Sequence, residues 1–338
     1  MFRRENAKRI VRLLLGLTTF CMMTVLCGQE SASPPDSSPH QVQSISVDKN
    51  VDLEVLNWGG SGRALILLAG LGATAHDFDV FAPKLADWCH VYGITRRGFG
   101  ASSQPKPVEG NYSADRLGDD VLAVMESLKL IRPVLVGHSV GGEELSSVAS
   151  RHPEKIAGVV YLDAAYSYAY YDASLGDPWI DSVELRKKLE RLIPGRAPKG
   201  YPQVVEDILD SLPRFEGRMR QWHQYLEVMP ALPVEVLPSL TPGQAIIEGA
   251  QKYTSIRVPA LAIYAIPKDL GPAFGNNQAA RAAADAAQLA FDGAQAEVFK
   301  KGVPGARVVI LPNASHFIYQ SNEVDVLREM RAFLTSLE

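Results

Sequence analysis

Residues 133–142 read PVLVGHSVGG. The apolar residues at its start favour a short buried strand, and a helical pattern runs from Val140 to Arg151. Between the two lies the motif G-x-S-x-G, with Ser139 at its centre. In this context the motif predicts a strained turn that exposes the serine hydroxyl. The flanking glycines remove side chains that would collide with that turn. Ser139 is therefore the predicted nucleophile.

Strand and helix patterns alternate along most of the chain. Short apolar runs that are typical of buried strands, at 64–69 and 157–162 among others, are followed by segments with helical periodicity. This alternation predicts an α/β fold, with a mostly parallel central sheet covered by helices on both faces. Residues 164–258 interrupt it with helical patterns, Pro and Gly, but no clear strand. We predict a core of residues 42–163 and 259–338, with 164–258 as an inserted helical cap.

Together these features resemble the α/β-hydrolase fold family, in its single-domain serine hydrolase and esterase branch with a helical cap. The resemblance covers about residues 42–338 and implies a catalytic triad in the order serine, acid, histidine. His316 follows a predicted strand end downstream of the cap, and it is therefore the expected general base. A serine at position 139 differs from the aspartate that the dehalogenase and epoxide hydrolase branches carry at the elbow.

Two aspartates compete for the place of the triad acid. The resemblance implies an acid in the loop where Asp269 lies, although Ala265 replaces the usual glycine and the spacing is one residue longer. Asp163, at the end of the preceding strand, is the alternative, since some branches of the family carry the acid there. We expect Asp269 to be the acid that fixes the imidazole tautomer of His316 and stabilises its charged form.

The resemblance also implies an oxyanion hole made by two backbone amides. Val140 N–H follows the nucleophile, and Leu71 N–H lies in the loop after the strand at 64–69. In that loop Ala69 replaces the histidine of the related His-Gly-x-Gly motif. Ligands of α/β sheets bind at the carboxyl ends of strands, and an aromatic cluster follows one such end. The candidates for the substrate pocket are His138, Tyr166 and Tyr168.

The N-terminal residues indicate export. Basic residues up to Arg12 precede an apolar run of 14 residues from Leu13 to Leu26. That run is shorter than the roughly 20 residues of a membrane-spanning helix. The pattern predicts a secretory signal at 1–28, with an uncleaved N-terminal anchor as the alternative, and a flexible linker at 29–41. We therefore expect a periplasmic or secreted protein that meets a membrane only through such an anchor.

The composition argues against several other classes of protein. Of 338 residues, 46% are hydrophobic and 21% are charged, which is an ordinary globular balance. The net charge of −4 gives no basic surface for nucleic acid. Three cysteines without paired spacing indicate neither a disulfide framework nor a zinc motif. We predict no cofactor and no metal, and the sequence leaves the oligomeric state open.

The combined prediction is a carboxylesterase that acts on small to medium apolar esters through an acyl-enzyme. A lactonase or a C–C bond hydrolase would use the same triad, because a fold does not fix its substrate. A non-catalytic ligand-binding protein is the alternative from another class. The most remote alternative is an NADP-dependent oxidoreductase, since Gly70–Ala75 follows a strand as a dinucleotide loop does. In that case Arg96 and Arg97 would hold the 2′-phosphate.

Overall fold

One eight-stranded sheet organises the part of the chain that the computed structural model describes, residues 40–196, 200–230 and 240–337. The strands are β1 (Gln41–Asp48), β2 (Val51–Gly59), β3 (Ala64–Leu68), β4 (His90–Ile94), β5 (Val134–His138), β6 (Gly158–Leu162), β7 (Ala260–Ala265) and β8 (Arg307–Leu311). They lie in the order β1-β2-β4-β3-β5-β6-β7-β8. β2 pairs antiparallel with β1 and with β4, and all other neighbouring pairs are parallel. The predicted mostly parallel sheet is confirmed.

Helices cover both faces of this sheet, as predicted. Those of the described residues are α1 (Ala82–Leu85), α2 (Glu109–Tyr112), α3 (Ala114–Ser127), α4 (Gly141–Arg151), α5 (Pro178–Glu190), α6 (Tyr201–Val228), α7 (Pro242–Glu248), α8 (Gln278–Gly302), α9 (Ile318–Ser321) and α10 (Glu323–Thr335). One hydrophobic layer joins α3, α4 and α8 to one face, and a second joins α1 and α10 to the other. Because they lie between these layers, β5 and β6 are buried at every position.

The segment between β6 and β7 is helical where it is described. It contains α5, α6 and α7, and its described residues form no strand. This agrees with the helical character predicted for 164–258, while the division into core and cap stays a prediction. The helix α6 packs against α5 and α8, and α7 packs against α2. The segment therefore contacts the rest of the chain at two separate places.

Two local features differ from the sequence pattern. The apolar spacing of 77–85 predicts one helix, but the structure has a 3₁₀ turn at Ala75–Phe78 and then the short α1. The break fits Pro83, which has no N–H to extend the ladder and lies in the first turn of α1. Gln41, placed in the predicted linker, already belongs to β1. The predicted leader and the linker up to residue 39 lie outside the described residues. No helix of the described segments combines the length and apolar character needed to cross a bilayer.

Candidate active site

Ser139 lies on a sharp turn between β5 and α4. Its backbone has φ 52°, in the left-handed region that non-glycine residues rarely adopt. A Cβ on Gly137 would lie 2.5 Å from a methyl of Leu145, and a Cβ on Gly141 would lie 2.7 Å from the carbonyl oxygen of Leu68. Only glycine fits at these two positions, so the two glycines allow the turn to form. The structure thus gives Ser139 the strained elbow that the sequence predicts.

His316 lies in the loop between β8 and α9, and it is paired with a buried carboxylate. Its Nδ1 is 2.6 Å from Oδ2 of Asp163. Asp163 is fully buried, whereas the side chain of His316 is 32% exposed. An ionised carboxylate can only accept hydrogen bonds, so Nδ1 carries the proton and Nε2 is left as the acceptor. This is the tautomer that a general base for a hydroxyl requires.

The expected acid, Asp269, does not contact this imidazole. Its carboxylate accepts from the N–H of Gly271 at 2.9 Å and lies 3.5 Å from Arg281, with half of its side chain exposed. The loop after β7 directs it outward, because Asp269 lies four residues beyond the strand end. The order of preference between the two acids is therefore reversed, and Asp163 takes the place predicted for Asp269.

Asp163 is held in its ionised form by a set of short contacts. Its Oδ1 accepts from the hydroxyl of Tyr166 at 2.6 Å and from the N–H of Ala265 at 3.0 Å. The ammonium of Lys268 lies 3.7 Å from Oδ2. Burial by itself would raise the pKa of Asp163, but the Lys268 charge and the His316 hydrogen bond outweigh it and lower that pKa to about 2. The carboxylate is thus charged at neutral pH, ready to stabilise an imidazolium.

Lys268 is a functional candidate that the sequence analysis missed. Its ammonium donates to Tyr166 at 2.7 Å and lies 3.3 Å from Asp292 of α8. Its side chain is only 7% exposed. Burial disfavours the charged amine, yet the carboxylates of Asp163 and Asp292 outweigh this effect and raise the pKa of Lys268. A loop lysine next to Asp269 gives no such signal in the sequence, since its partner Asp292 is 24 residues away.

All three pocket candidates have contacts within the protein. The ring of His138 is 1% exposed and lies 4.6 Å from that of His316, and its Nε2 donates to the His316 carbonyl at 3.0 Å. Burial, followed by the charge of His316, lowers the pKa of His138 to about 3, so it stays neutral. His138 therefore supports the His316 loop and does not line a pocket. The hydroxyl of Tyr166 is bound by Asp163, and Tyr168 is partly buried with its ring 6.1 Å from that of Tyr166.

The loop that carries Leu71 lies directly against the elbow. A Cβ on Gly70 would be 3.3 Å from Cβ of Ser139. Leu71 and Val140 are both almost fully buried and belong to one hydrophobic cluster. The two predicted oxyanion residues therefore lie together in one cluster beside the elbow. Among the hydrogen bonds of the described residues, none joins Ser139 Oγ to His316.

The arginines after β4 do not form a phosphate site. Arg97 makes a two-point pair with Asp120, at 2.7 and 2.5 Å, and Arg96 pairs with Glu144. Both side chains are buried. The glycine loop before them leads into the 3₁₀ turn at Ala75–Phe78, not into a long helix that could bind a diphosphate. The dinucleotide alternative is therefore wrong.

One cluster among the described residues has side chains that could hold a metal ion. Donor atoms of His40, His76 and Asp79 lie within 4.8 Å of one another. Both imidazoles already contact the carboxylate, His40 through Nδ1 at 3.2 Å and His76 through Nδ1 at 3.0 Å. The cluster ties the residue before β1 to the 3₁₀ turn, and none of its members belongs to the predicted site.

Known proteins share this fold and part of this sequence. The family model described as alpha/beta hydrolase fold matches residues 63–193. A fluoroacetate dehalogenase from Burkholderia sp. is 35% identical over 116 residues, which is 34% of this chain and 38% of that protein. An esterase from Mycobacterium tuberculosis is 25% identical over 162 residues, 48% of this chain and 51% of that protein. The chain thus spans between about two fifths and a half of the length of these curated relatives.

Solved structures extend the likeness over nearly the whole chain. An epoxide hydrolase from Vigna radiata superposes with a TM-score of 0.57 at 16% identity, covering 89% of this chain and 99% of that one. The chain therefore has the α/β-hydrolase fold, and the family resemblance predicted from its elbow is confirmed.

Proposed function

We propose that this protein is a serine hydrolase that cleaves carboxylic esters of small to medium apolar substrates through an acyl-enzyme. One observation carries the proposal: Ser139 has the strained backbone of a nucleophile elbow, and His316, whose ring lies 4.6 Å from that of the adjacent His138, is bound at Nδ1 by the ionised, buried Asp163. Two of the similar proteins are named as a dehalogenase and an esterase. A serine at the elbow favours the esterase, because the dehalogenase branch carries aspartate there.

Each member of the triad has a defined task in the proposed reaction. Ser139 Oγ attacks the acyl carbonyl while His316 Nε2 accepts its proton and then returns a proton to the leaving alcohol. Asp163 keeps the imidazole in the required tautomer and stabilises the imidazolium that forms. In the second half of the reaction, His316 activates a water that hydrolyses the acyl-enzyme. The product acid then leaves.

The amides of Leu71 and Val140 would hold the oxyanion of the tetrahedral intermediate. A backbone donor of this kind is worth about 3 kcal/mol of the barrier. The Val140 N–H also lies at the start of α4, where the helix dipole favours negative charge. The negative charge that develops on the substrate oxygen is thus stabilised without any movement of side chains.

The inserted helix α7 suggests which substrates would fit. Its residues Ala245 and Ile246 pack in one hydrophobic cluster with Leu71 and Val140, and Gly243 lies against the Leu71 side chain. The side of the proposed oxyanion hole that packs against α7 is therefore apolar. We infer an apolar acyl or alcohol group of limited size, since a longer group would have to displace α7.

The proposal is tested with p-nitrophenyl esters of increasing acyl length, using the purified protein and its Ser139→Ala variant. We expect turnover that falls by at least about 10³-fold in the variant, and an optimum at short to medium chain length. A fluorophosphonate probe should label the wild type and not the variant. A folded wild type that is inert on every ester and is not labelled would favour the non-catalytic binding protein instead.

A further inference from the structure

Arg96 lies buried beneath the loop that carries the proposed oxyanion amide. It follows β4, is 6% exposed, and donates from its two terminal nitrogens to the carbonyls of Ala69 (2.8 Å) and Gly70 (3.2 Å). Its Nε donates to the carboxylate of Glu144 in α4. One guanidinium therefore joins the loop after β3 to the helix that begins next to the nucleophile.

The Gly70 carbonyl belongs to the same peptide group as the Leu71 N–H. In a trans peptide the two groups point in opposite directions, and the one cis bond among the described residues is at Pro267. A cation at the carbonyl therefore fixes the plane of the peptide and polarises its N–H, which becomes a stronger donor. The carbonyl also accepts from Ala73 N–H at 3.4 Å, but Arg96 is its charged partner.

Glu144 sets the position of this guanidinium relative to the serine. It lies five residues after Ser139 in the chain and is 2% exposed. The loop runs close to the elbow, since a Cβ on Gly70 would lie 3.3 Å from Cβ of Ser139. The pair of Arg96 with Glu144 holds this loop against α4. Together these contacts fix the distance between the nucleophile and the Leu71 amide.

We propose that Arg96, held by Glu144, is a positioning residue that orients and polarises the Gly70–Leu71 peptide for the oxyanion. The inference rests on the proposed serine hydrolase function. The charge on the substrate oxygen is largest in the transition state, so Arg96 raises kcat and leaves KM nearly unchanged. For the same reason, it raises the affinity for inhibitors that form a tetrahedral adduct.

Arg97 provides a matched control one residue further along the chain. Its guanidinium is also buried and forms the two-point pair with Asp120. Its other hydrogen bond in the described structure is to the Asn111 carbonyl at 3.3 Å, away from the oxyanion loop. Removing either arginine leaves a buried carboxylate without its cation, so both variants suffer comparable structural damage. Arg96→Met alone should also damage the oxyanion hole.

The experiment compares Arg96→Met, Glu144→Gln and Arg97→Met with the wild type. It measures kcat and KM for the best p-nitrophenyl ester. It also measures the Ki of a trifluoromethyl ketone, to whose carbonyl Ser139 would add to give a tetrahedral oxyanion. Enzyme concentrations are corrected for the folded fraction by circular dichroism. For Arg96→Met we expect a loss of about 100-fold in kcat and in ketone affinity, with KM within about threefold. Glu144→Gln should lose about tenfold in kcat, and folded Arg97→Met about threefold or less.

Arg96→Lys decides the question if Arg96→Met does not fold. Lysine keeps the charge but lacks the planar fork that donates to Ala69, Gly70 and Glu144 in fixed directions, so we expect a loss of about tenfold in kcat with KM unchanged. Folded Arg96 variants with the kcat and ketone affinity of Arg97→Met, or with losses in KM alone, would overturn the proposal. A wild type that is inert towards esters and fluorophosphonate would instead overturn the proposed function, which is a different and separable result.

Discussion

Asp163 and Asp269 follow neighbouring parallel strands, β6 and β7, but only one of them reaches the catalytic histidine candidate. Asp163 comes directly after its strand, is fully buried and binds His316 at 2.6 Å. Asp269 comes four residues after its strand, has a half-exposed side chain and lies near Arg281. Each acid thus has a basic partner, since Lys268 lies 3.7 Å from Asp163. The two sites differ in depth more than in chemistry.

Depth decides what such a carboxylate can do. A charge at the surface is screened by water and salt, and its pair with an arginine contributes little. A buried charge acts at full strength on its neighbours, provided that a cation and hydrogen bonds compensate its desolvation. Asp163 has the compensation in Lys268, Tyr166 and the Ala265 N–H. It can therefore stabilise an imidazolium that Asp269 could not influence.

The largest expected difference between the two acids is in catalysis. With Asp163→Asn, we expect kcat on the p-nitrophenyl esters to fall by about 10³ to 10⁴-fold, because the amide no longer holds His316 in the required tautomer. With Asp269→Asn we expect a change of less than about threefold. Circular dichroism and the thermal midpoint show that both variants are folded. A larger loss in Asp269→Asn than in Asp163→Asn would restore Asp269 as the acid.

The places of Ser139 on its turn and of His316 after the last strand could be predicted from the sequence, but the aspartate that contacts His316 could not. Ser139 lies in a local motif with its strand and helix on either side, so ten residues carry the whole signal. His316 follows from its position after the last strand. Choosing between the acids requires the distance between two loops, which depends on how far each chain segment runs past its strand. The chain turns directly after β6, where Asp163 has a left-handed backbone with φ 47°. The sequence pattern does not predict this turn.

The second expected difference is in folding stability. It is measured by removing the cation next to each of the two acids. Lys268→Met removes the charge between Asp163 and Asp292 and leaves two buried carboxylates close together, at a cost of about 3–5 kcal/mol in the free energy of unfolding. Arg281→Met removes a half-exposed partner of Asp269 and should cost about 0–1 kcal/mol. Urea denaturation at neutral pH measures both. Equal costs would mean that depth does not separate the two sites.

Lys268 also shows why part of the site lies beyond sequence analysis. A lysine in a loop is ordinarily a surface residue, and nothing near it in the sequence indicates burial. It is buried because Gln288 of α8 accepts from its backbone N–H at 2.9 Å and Asp292, one turn later, receives its ammonium. Both contacts depend on the packing of α8 against the loop. The same holds for Arg96, whose partners lie in the loop after β3 and in α4.

The smallest expected difference is in how folding stability depends on pH, because Asp163 binds its proton more readily in the unfolded chain than in the folded protein. Its pKa of about 2 in the folded protein lies below the ordinary value of 3.8, so the unfolded chain binds its proton at higher pH. The resulting stabilisation, about 2 kcal/mol, is complete above about pH 5 and is lost as the pH falls towards 2. Asp163→Asn lacks this contribution. The difference in the free energy of unfolding between wild type and variant should therefore narrow by about 1 kcal/mol as the pH is lowered from 5 to 3.

Urea titrations at both pH values measure this gap. Ser139→Ala is the control variant, whose gap to the wild type should stay constant. A gap that does not change would mean that Asp163 is not ionised below its ordinary range, and the contrast with Asp269 would then rest on position alone.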